Sequence, residues 1–230
     1  MDWKELQKRT YTPFSDLNEV CVIEGSSGAF YPGVRIENGS FPLSIDAEQA
    51  AIGFCYTQQD EPEKIYYPDN QEPDSYWINE LNLEVIIGPL PSDIVFPNVT
   101  EEISDDNIYS RLKDLNKRAK SPNSSFSVSA FLKTENGWFP GVNIEFSDWQ
   151  KGLCAERVAI SGAISSGYKN FTQIAIYANK GSFISPCGGC RQVMLEQLPE
   201  GKATLYHPND SKSTHRIADF LPYAFKTLSL

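Results

Sequence analysis

The sequence predicts an α/β protein built from two tandem halves, each a mixed β-sheet with helices packed on its faces. Three observations predict this architecture. The second half shows a hairpin signal followed by alternating helical and strand patterns, which is typical of a helix-covered mixed sheet. A stretch of the first half repeats a stretch of the second, and a proline-rich, acidic segment over 88–106 separates the two.

The elements of the second half follow from local patterns. Apolar residues at helical spacing predict a helix over 107–119, and the alternation over 126–132 predicts a half-buried strand. Asn136-Gly137 is typical of a hairpin turn, so 138–145 is predicted to return as the paired strand. The remaining predicted elements are a helix over 155–166, a strand over 173–177, a helix over 188–197, a strand over 203–206 and a last helical or turn segment over 216–225.

The first half reads as a diverged copy of the second. Residues 33–52 align with residues 141–160 without a gap, and eight of the twenty positions are identical. This predicts an internal repeat with a period near 108 residues and a division into domains at 1–98 and 99–230. The charge supports that division, because residues 1–100 carry 5 Lys/Arg and 17 Asp/Glu whereas residues 101–230 carry 15 and 13.

Composition disfavours several classes of protein. The 230 residues are 40% hydrophobic and 12% aromatic, which is enough for a core and argues against wholesale disorder. We expect no transmembrane helix, since no run of about 18 apolar residues occurs, and no secretory leader, since residues 1–6 lack a basic region followed by an apolar one. The net charge of −10 disfavours a nucleic acid polymer as partner. We therefore predict an acidic cytoplasmic protein with no membrane partner.

Three of the five cysteines form a pattern that carries chemistry. Cys154 opens one predicted helix, and Cys187 and Cys190 open the next, so two helix starts at one sheet edge can bring three thiolates onto one cation. Three protein ligands with an open fourth position are typical of catalytic zinc, so one Zn²⁺ per chain is predicted in the second domain. Glu156 lies beside that open position, where a carboxylate can take a proton from a zinc-activated water. Arg157 is placed to donate to a thiolate sulfur and offset the negative charge.

Less specific interpretations stay open at this point. Cys187 and Cys190 alone also fit a redox pair, and the three cysteines together fit a purely structural zinc site. Cys21 and Cys55 are expected to be buried apolar thiols. His207 and His215 are expected to be surface or loop residues.

Residues from about 105 to 230 resemble the nucleoside cytidine deaminases, small zinc enzymes of pyrimidine salvage. The motifs follow one another in the order and approximate spacing of that family. They are Ser121-Pro122, Phe126 with Val128, Gly141-Val142-Asn143-Ile144-Glu145, Cys154-Ala155-Glu156-Arg157, the run from Ser185 to Gln192, and Leu221-Pro222 with Phe225.

The resemblance implies hydrolytic deamination of cytidine and 2′-deoxycytidine to uridine and 2′-deoxyuridine. The three cysteines would bind zinc, and Glu156 would shuttle protons. It also implies that Phe126 stacks on the base, that Asn143 and Glu145 hold ribose hydroxyls, and that Ala155 contacts the substrate. An amide and a carboxylate two positions apart on a strand point the same way, which agrees with the sugar-binding role.

Two departures from the family pattern concern the nucleoside pocket. Asn123 stands where the family usually has Tyr, and Phe146 stands where Asn is common. We expect these residues to reshape the pocket, which leaves deamination of another small cytosine nucleoside or a nucleoside antibiotic as an alternative. Polynucleotide editing and a non-catalytic zinc protein are further alternatives, disfavoured by the charge and by Glu156 respectively.

The first half lacks the ligand pattern. Asp46 aligns with Cys154, Gln49 aligns with Arg157, and 73–77 (Pro-Asp-Ser-Tyr-Trp) stands where 186–190 carries two cysteines. We expect no catalytic zinc there, and we expect Glu37 and Glu48 to be retained as scaffold. By the same resemblance, two-domain members pair an active with an inactive copy, which implies a homodimer of four deaminase-like domains.

Overall fold

Two β-sheets, one in each half of the chain, form the frame of the molecule. The structure is a computed structural model that describes residues 1–92 and 94–224. The elements of the first half are α1 (Trp3–Gln7), β1 (Val20–Gly25), β2 (Phe30–Val34), α2 (Ala47–Thr57), β3 (Pro62–Tyr67), α3 (Ser75–Leu81) and β4 (Glu84–Ile87). Their sheet has the order β2-β1-β3-β4, in which β3 and β4 are parallel and the other pairs antiparallel.

The second half repeats this arrangement with one more strand. Its elements are α4 (Ile108–Asn116), β5 (Val128–Thr134), β6 (Gly137–Val142), α5 (Ala155–Ser165), β7 (Gln173–Ala178), α6 (Gly188–Gln197), β8 (Lys202–Tyr206) and β9 (Lys212–Arg216). The sheet order is β6-β5-β7-β8-β9, with β7 and β8 parallel. Among the described residues, no helix has the length and apolar character to cross a membrane.

The two mixed sheets confirm the predicted fold class. Helices α5 and α6 and strand β7 lie within one residue of their predicted bounds. Strands β5 and β6 form the predicted hairpin, but Thr134 pairs with Gly137, so the turn is centred on Glu135-Asn136, one position earlier than predicted.

The end of the chain departs from the prediction of a helical or turn segment over 216–225. Strand β9 covers Lys212–Arg216 and a short 3-10 helix follows over Ile217–Phe220. The sequence of β9, Lys-Ser-Thr-His-Arg, has no apolar residue, because this edge strand is exposed along most of its length. Phe225, which belongs to the last family motif, lies outside the described residues.

Helices α2 and α5 lie at the centre of the molecule, where each packs on its own sheet and on the other helix. Every residue of α2 is buried, and so are ten of the eleven residues of α5. A helix enclosed on all sides is apolar around most of its circumference, and its few buried polar side chains need hydrogen-bond partners. The ring of Phe54 in α2 meets the ring of Phe139 in β6 edge to face, with centroids 5.3 Å apart.

Two hydrogen bonds between the halves are related to each other by pseudo-twofold symmetry. Nη1 of Arg9 donates to the carbonyl of Ser165 at 2.6 Å, and Nη1 of Arg118 donates to the carbonyl of Thr57 at 3.1 Å. Arg9 and Arg118, and likewise Thr57 and Ser165, are 108 or 109 positions apart in the sequence. Equivalent residues of the repeat therefore make equivalent bonds across the interface, as in an isologous contact between two copies.

Gly141 lets α5 lie directly on β6. A Cβ atom at this position would come within 2.5 Å of both the carbonyl oxygen of Ala155 and the amide nitrogen of Ala159. Gly33, its counterpart in the repeat, has the same close approach to α2. The Gly-Val pair shared by the two halves therefore marks the point where a central helix touches its own sheet.

We expect Gly141→Ala to destabilise the fold, because the added methyl must push the start of α5 away from β6. Overpacking of this kind costs about 1–3 kcal/mol, to be measured as the free energy of unfolding in urea. Gly188→Ala is the matched control, since its added Cβ would have no heavy atom within 4 Å. Equal stability of Gly141→Ala and the wild type would contradict the proposed close contact.

Candidate active site

Three thiols from two helix starts come together in the second half. Cys154 is the N-cap of α5, Cys187 is the N-cap of α6, and Cys190 lies in the first turn of α6. Their sulfur atoms all lie within 4.8 Å of one another, and Sγ of Cys154 is 3.8 Å from Sγ of Cys187. Strands β6 and β7 flank β5 and both run antiparallel to it, so they point the same way. The helices that follow them therefore begin at the same end of the sheet.

The donor set fits a zinc ion. A tetrahedral zinc with Zn–S bonds of about 2.3 Å separates two sulfur ligands by about 3.8 Å, which agrees with the distance between Cys154 and Cys187. Three sulfur ligands leave one position of the tetrahedron open. The cluster in this domain is therefore suited to a zinc ion with one exchangeable ligand.

The pKa values of the three thiols also indicate a site for a cation. Hydrogen bonds from Cys154, Cys190 and the backbone amides of Gly189 and Cys190 lower the pKa of Cys187. The thiol of Cys187 raises the pKa of Cys154, the thiols of Cys154 and Cys187 raise that of Cys190, and burial raises both. Three thiolates this close repel one another, so a divalent cation is required before all three can lose their protons.

Glu156 is a buried carboxylate beside this cluster. It is 3% exposed and lines the pocket together with Cys154 and Cys187. Burial raises its pKa to about 7, while a hydrogen bond from Cys190 and the charge of Arg157 favour its ionised form. A carboxyl group that titrates near neutral pH can both accept and release a proton.

Arg157 reaches from α5 to the first half. Its Nη2 donates to the carbonyl of Leu43 at 3.1 Å and to that of Ser44 at 3.4 Å. Its Nε is buried and has no hydrogen-bond partner among the residues described. That Arg157 donates to a thiolate sulfur stays a prediction, for which this Nε–H is an available donor.

A pocket of about 520 Å³ opens above Glu156 and the cysteines. This volume is in the range of sites for small molecules. Its polar lining includes Asn143 and Glu145, and Phe126 presents a half-exposed ring to it. Ala155 is buried between the pocket residues Cys154 and Glu156. The other lining residues are Ser124, Val128, Ile144, Trp149, Gly152, Leu153, Ile176, Ala178, Phe183, Ile184 and Ser185.

Asn143 and Glu145 also order the backbone that carries Phe126. Oδ1 of Asn143 accepts from the amide of Val128 at 2.7 Å, and its Nδ2 donates to the carbonyl of Phe126 at 2.9 Å. The carboxylate of Glu145 accepts from the amides of Asn123 and Ser124 and from the Ser124 hydroxyl. Asn143 therefore keeps one N–H hydrogen, and Glu145 keeps several lone pairs, for a ligand.

Glu37 makes the same contacts in the first half. Its carboxylate accepts from the amides of Phe14 and Ser15 and from the Ser15 hydroxyl. Glu37 and Glu145 therefore hold equivalent turns in the two copies of the repeat. Retention of Glu37 is explained by this local scaffold, which does not require a ligand.

Neither Asn123 nor Phe146 is among the described residues that line the pocket, so their expected effect on its shape stays a prediction. Phe146 is buried against the ring of Trp77, with centroids 4.9 Å apart. Nδ2 of Asn123 donates to the carbonyl of Phe146 at 3.0 Å. Phe146 therefore contacts the first half, and Asn123 holds the backbone of Phe146.

The two histidines were expected at the surface or in loops. His207 lies in the loop after β8, but it is 4% exposed, and its Nδ1 accepts from the amide of Ile184 at 3.1 Å. The ring of Phe183 stacks on it at 5.1 Å. His207 therefore holds the pocket wall formed by Phe183 and Ile184. His215 lies within β9, half-buried, with Nε2 3.0 Å from the Ser213 hydroxyl.

Trp149 and Phe183, which line the pocket, and His207, which holds its wall, were not indicated by the sequence. Trp149 and Phe183 are large aromatic residues at 65% and 66% exposure. Their position just before the cysteine motifs was the one available signal, because chain segments that lead into a ligand also line its site. No local pattern pointed to His207.

The first half offers different groups at the equivalent positions. Asp46 is the N-cap of α2 and Asp74 is the N-cap of α3, in the places that Cys154 and Cys187 hold in the second half. Cys21 and Cys55 are buried, as expected, in the core of the first half. Glu48, the counterpart of Glu156, accepts a hydrogen bond from the hydroxyl of Tyr67 at 3.0 Å.

Fold and site together define a zinc-dependent deaminase domain, preceded by a diverged copy. The family model described as "Cytidine and deoxycytidylate deaminase zinc-binding region" matches residues 103–201. The cytidine deaminase of Mycoplasma genitalium is 42% identical over 121 residues, which span 52% of this chain and 93% of that protein. That of Sporosarcina psychrophila is 38% identical over 117 residues, covering 49% of this chain and 85% of that protein.

A solved structure of the same fold supports this assignment. The crystal structure of cytidine deaminase from Burkholderia pseudomallei superposes with a TM-score of 0.51 and 33% sequence identity, covering 54% of this chain and 100% of that chain. The chain belongs to the cytidine deaminase family.

Glu48 provides a pH-dependent contribution to stability. Burial raises its pKa to about 7, the nearby Asp46 and Asp74 act in the same direction, and the Tyr67 hydroxyl opposes them. Folding therefore favours the neutral acid. Stability is fully present below the unfolded pKa of about 4.5 and is lost as the pH rises through about 7.

We expect Glu48→Gln to unfold at higher urea concentration than the wild type at pH 8, and to differ little from it at pH 4.5. The neutral amide lacks the charge that the wild type must bury, so the gain at pH 8 is at most about 3 kcal/mol. Glu135→Gln, in the exposed turn of the hairpin, is the matched control and should show no such pH dependence. A variant less stable than wild type at pH 8 would contradict the assignment.

Proposed function

We propose that the protein catalyses hydrolytic deamination of cytidine and 2′-deoxycytidine to uridine and 2′-deoxyuridine, with release of ammonia, as an enzyme of pyrimidine salvage. The observation that carries this proposal is the placement of the buried Glu156 at the floor of a nucleoside-sized pocket, next to three converging thiols. A structural zinc site would have no use for a buried, protonatable carboxylate at that position.

We propose that Cys154, Cys187 and Cys190 hold the zinc, which supplies an activated water at neutral pH when it is bound. Glu156 takes one proton from that water and delivers it to N3 of the pyrimidine, and then takes the remaining proton of the added hydroxyl and delivers it to the amino group at C4. The water oxygen adds to C4, the C4–N bond breaks, and ammonia leaves. A carboxyl pKa raised to about 7 by burial suits both steps.

The proposed roles of the pocket residues follow from their positions. The half-exposed ring of Phe126 offers a face for stacking on the base. Asn143 and Glu145, which already hold the neighbouring backbone, have unused donor and acceptor capacity for the sugar hydroxyls. Ala155 lies between two pocket residues and is placed for a contact through its backbone.

Glu156→Gln is expected to lower kcat for cytidine about 10²- to 10⁴-fold, because it removes the proton transfer, and to keep one zinc per chain. The measurement is the ultraviolet-monitored conversion of cytidine and deoxycytidine, with metal content determined on the same samples. The matched control is Glu48→Gln, the equivalent change in the first half, which should retain wild-type turnover.

Cys187→Ala tests the metal site in the same assay and should lose both zinc and turnover. Wild-type turnover by Glu156→Gln with zinc bound would refute the assigned role. If the zinc-loaded wild type converts neither nucleoside, the proposed substrate is wrong.

We further propose a cytoplasmic homodimer that contains four deaminase-like domains. Large aromatic side chains stand exposed near the pocket mouth and at the equivalent place in the first half. These are Trp149 at 65%, Phe183 at 66% and Phe41 at 85% exposure. Phe41 and Trp149 are 108 positions apart, so an isologous contact would bury both copies of each.

Light scattering on the eluting protein should give twice the chain mass of 25.8 kDa at micromolar concentration. Phe41→Ser should shift the protein towards a single-chain mass while leaving its unfolding midpoint close to that of the wild type, because the side chain is exposed within one chain. A wild-type protein that is fully active with the mass of one chain would exclude the dimer.

A further inference from the structure

The segment 146–152 joins the pocket residue Glu145 to the cysteine motif that begins at Cys154. It carries Trp149, which lines the pocket, and a short 3-10 helix over Trp149–Lys151. Most of the segment is exposed, so its own half gives it little cover. Its position therefore depends on what else it touches.

Residues of the first half hold this segment at several points. The amide of Ser147 donates to Glu80 at 2.8 Å, and Nε2 of Gln49 donates to the carbonyl of Lys151 at 2.9 Å. The ring of Phe146 packs on that of Trp77. Trp77 stands where the second half has the ligand Cys190, and Gln49 stands where it has Arg157, so one of these contacts comes from a lost ligand position.

The ammonium of Lys151 lies between the two carboxylates that replace the first two thiols. Its Nζ is 3.8 Å from Oδ2 of Asp46 and 3.6 Å from Oδ2 of Asp74. It also lies 5.5 Å from the centre of the Trp77 ring, within range of a cation–π contact. A cation thus bridges the starts of α2 and α3, as the three thiols bridge the starts of α5 and α6.

We propose that the diverged metal site of the first half acts as a clamp that positions the pocket segment 146–152, with the Lys151 ammonium as its cation. The inference rests on the proposed function in one respect, namely that Trp149 contacts a nucleoside. Lys151 is a positioning residue. Arg35, 3.7 Å from Asp46, offsets part of the repulsion between Asp46 and Asp74. Without the Lys151 charge that repulsion increases, and the segment loses one of its links to the first half.

The test compares Lys151→Met with Lys151→Arg in the full-length, zinc-loaded protein. The methionine keeps the length of the side chain and removes the charge, whereas the arginine restores a cation. Glu61→Gln is the matched control, because it removes another ion pair between the halves, with Lys120, that does not touch the segment.

Hydrogen exchange measured on a peptide covering 146–153 reports on the clamp directly. We expect about three- to tenfold faster exchange in Lys151→Met, the range for loss of partly exposed ion pairs, with rates near wild type in Lys151→Arg and Glu61→Gln. In cytidine turnover, Lys151→Met should raise KM by a similar factor with little change in kcat or zinc content. The effects of Lys151→Met and Trp149→Ala on KM should be less than additive, because both act through one segment.

Unchanged exchange in Lys151→Met would overturn the proposal, and so would faster exchange spread evenly over the whole chain. The exchange measurement does not require activity, so it stands even if the wild type proves inactive on cytidine. Faster exchange with an unchanged KM in an active enzyme would overturn the link between the clamp and the pocket.

Discussion

The contact between α2 and α5 is the interaction on which the rest of the structure depends. Both helices are enclosed by the two sheets and by each other, and each lies close to its own sheet at a glycine. Their N-terminal ends are therefore fixed relative to both halves. Arg157 bonds the carbonyl of Leu43, and Gln49 bonds that of Lys151, so each helix start holds a loop of the other half.

The same frame supports two different kinds of chemistry. In both halves a buried glutamate follows the helix start by two positions, and burial raises the pKa of Glu48 and of Glu156 alike to about 7. A raised pKa is thus a property of the frame and does not by itself mark a catalytic residue. What differs is the neighbour: Glu48 faces the Tyr67 hydroxyl, and Glu156 faces an open pocket beside three thiols.

The sequence was sufficient for the parts of the site that depend on local pattern. Cysteines at two helix starts predict convergence, because the helix positions follow from the alternation of helices and strands. Contacts between distant segments have no such signature, as with His207 and Ile184 or Lys151 and Asp74. The contact of Phe146 with Trp77 has no such signature either, because the chain leaves β6 at Val142, after which strand alternation no longer tells which way a side chain points.

The first half lacks thiols at the ligand positions but still carries negative groups, at two helix starts, that a cation stabilises. Asp46 and Asp74 are negative groups at two adjacent helix starts, and a positive charge between them favours both. Arg35 of the first half lies 3.7 Å from Asp46, and Lys151 of the second half lies near both carboxylates, so the first half draws part of this positive charge from the second. The reverse dependence also holds, since Arg157, with its Nε already lacking a partner among the described residues, finds its carbonyl acceptors in the first half. Separating the halves would remove these acceptors from a guanidinium that stands next to Glu156, so the start of α5 depends on both halves.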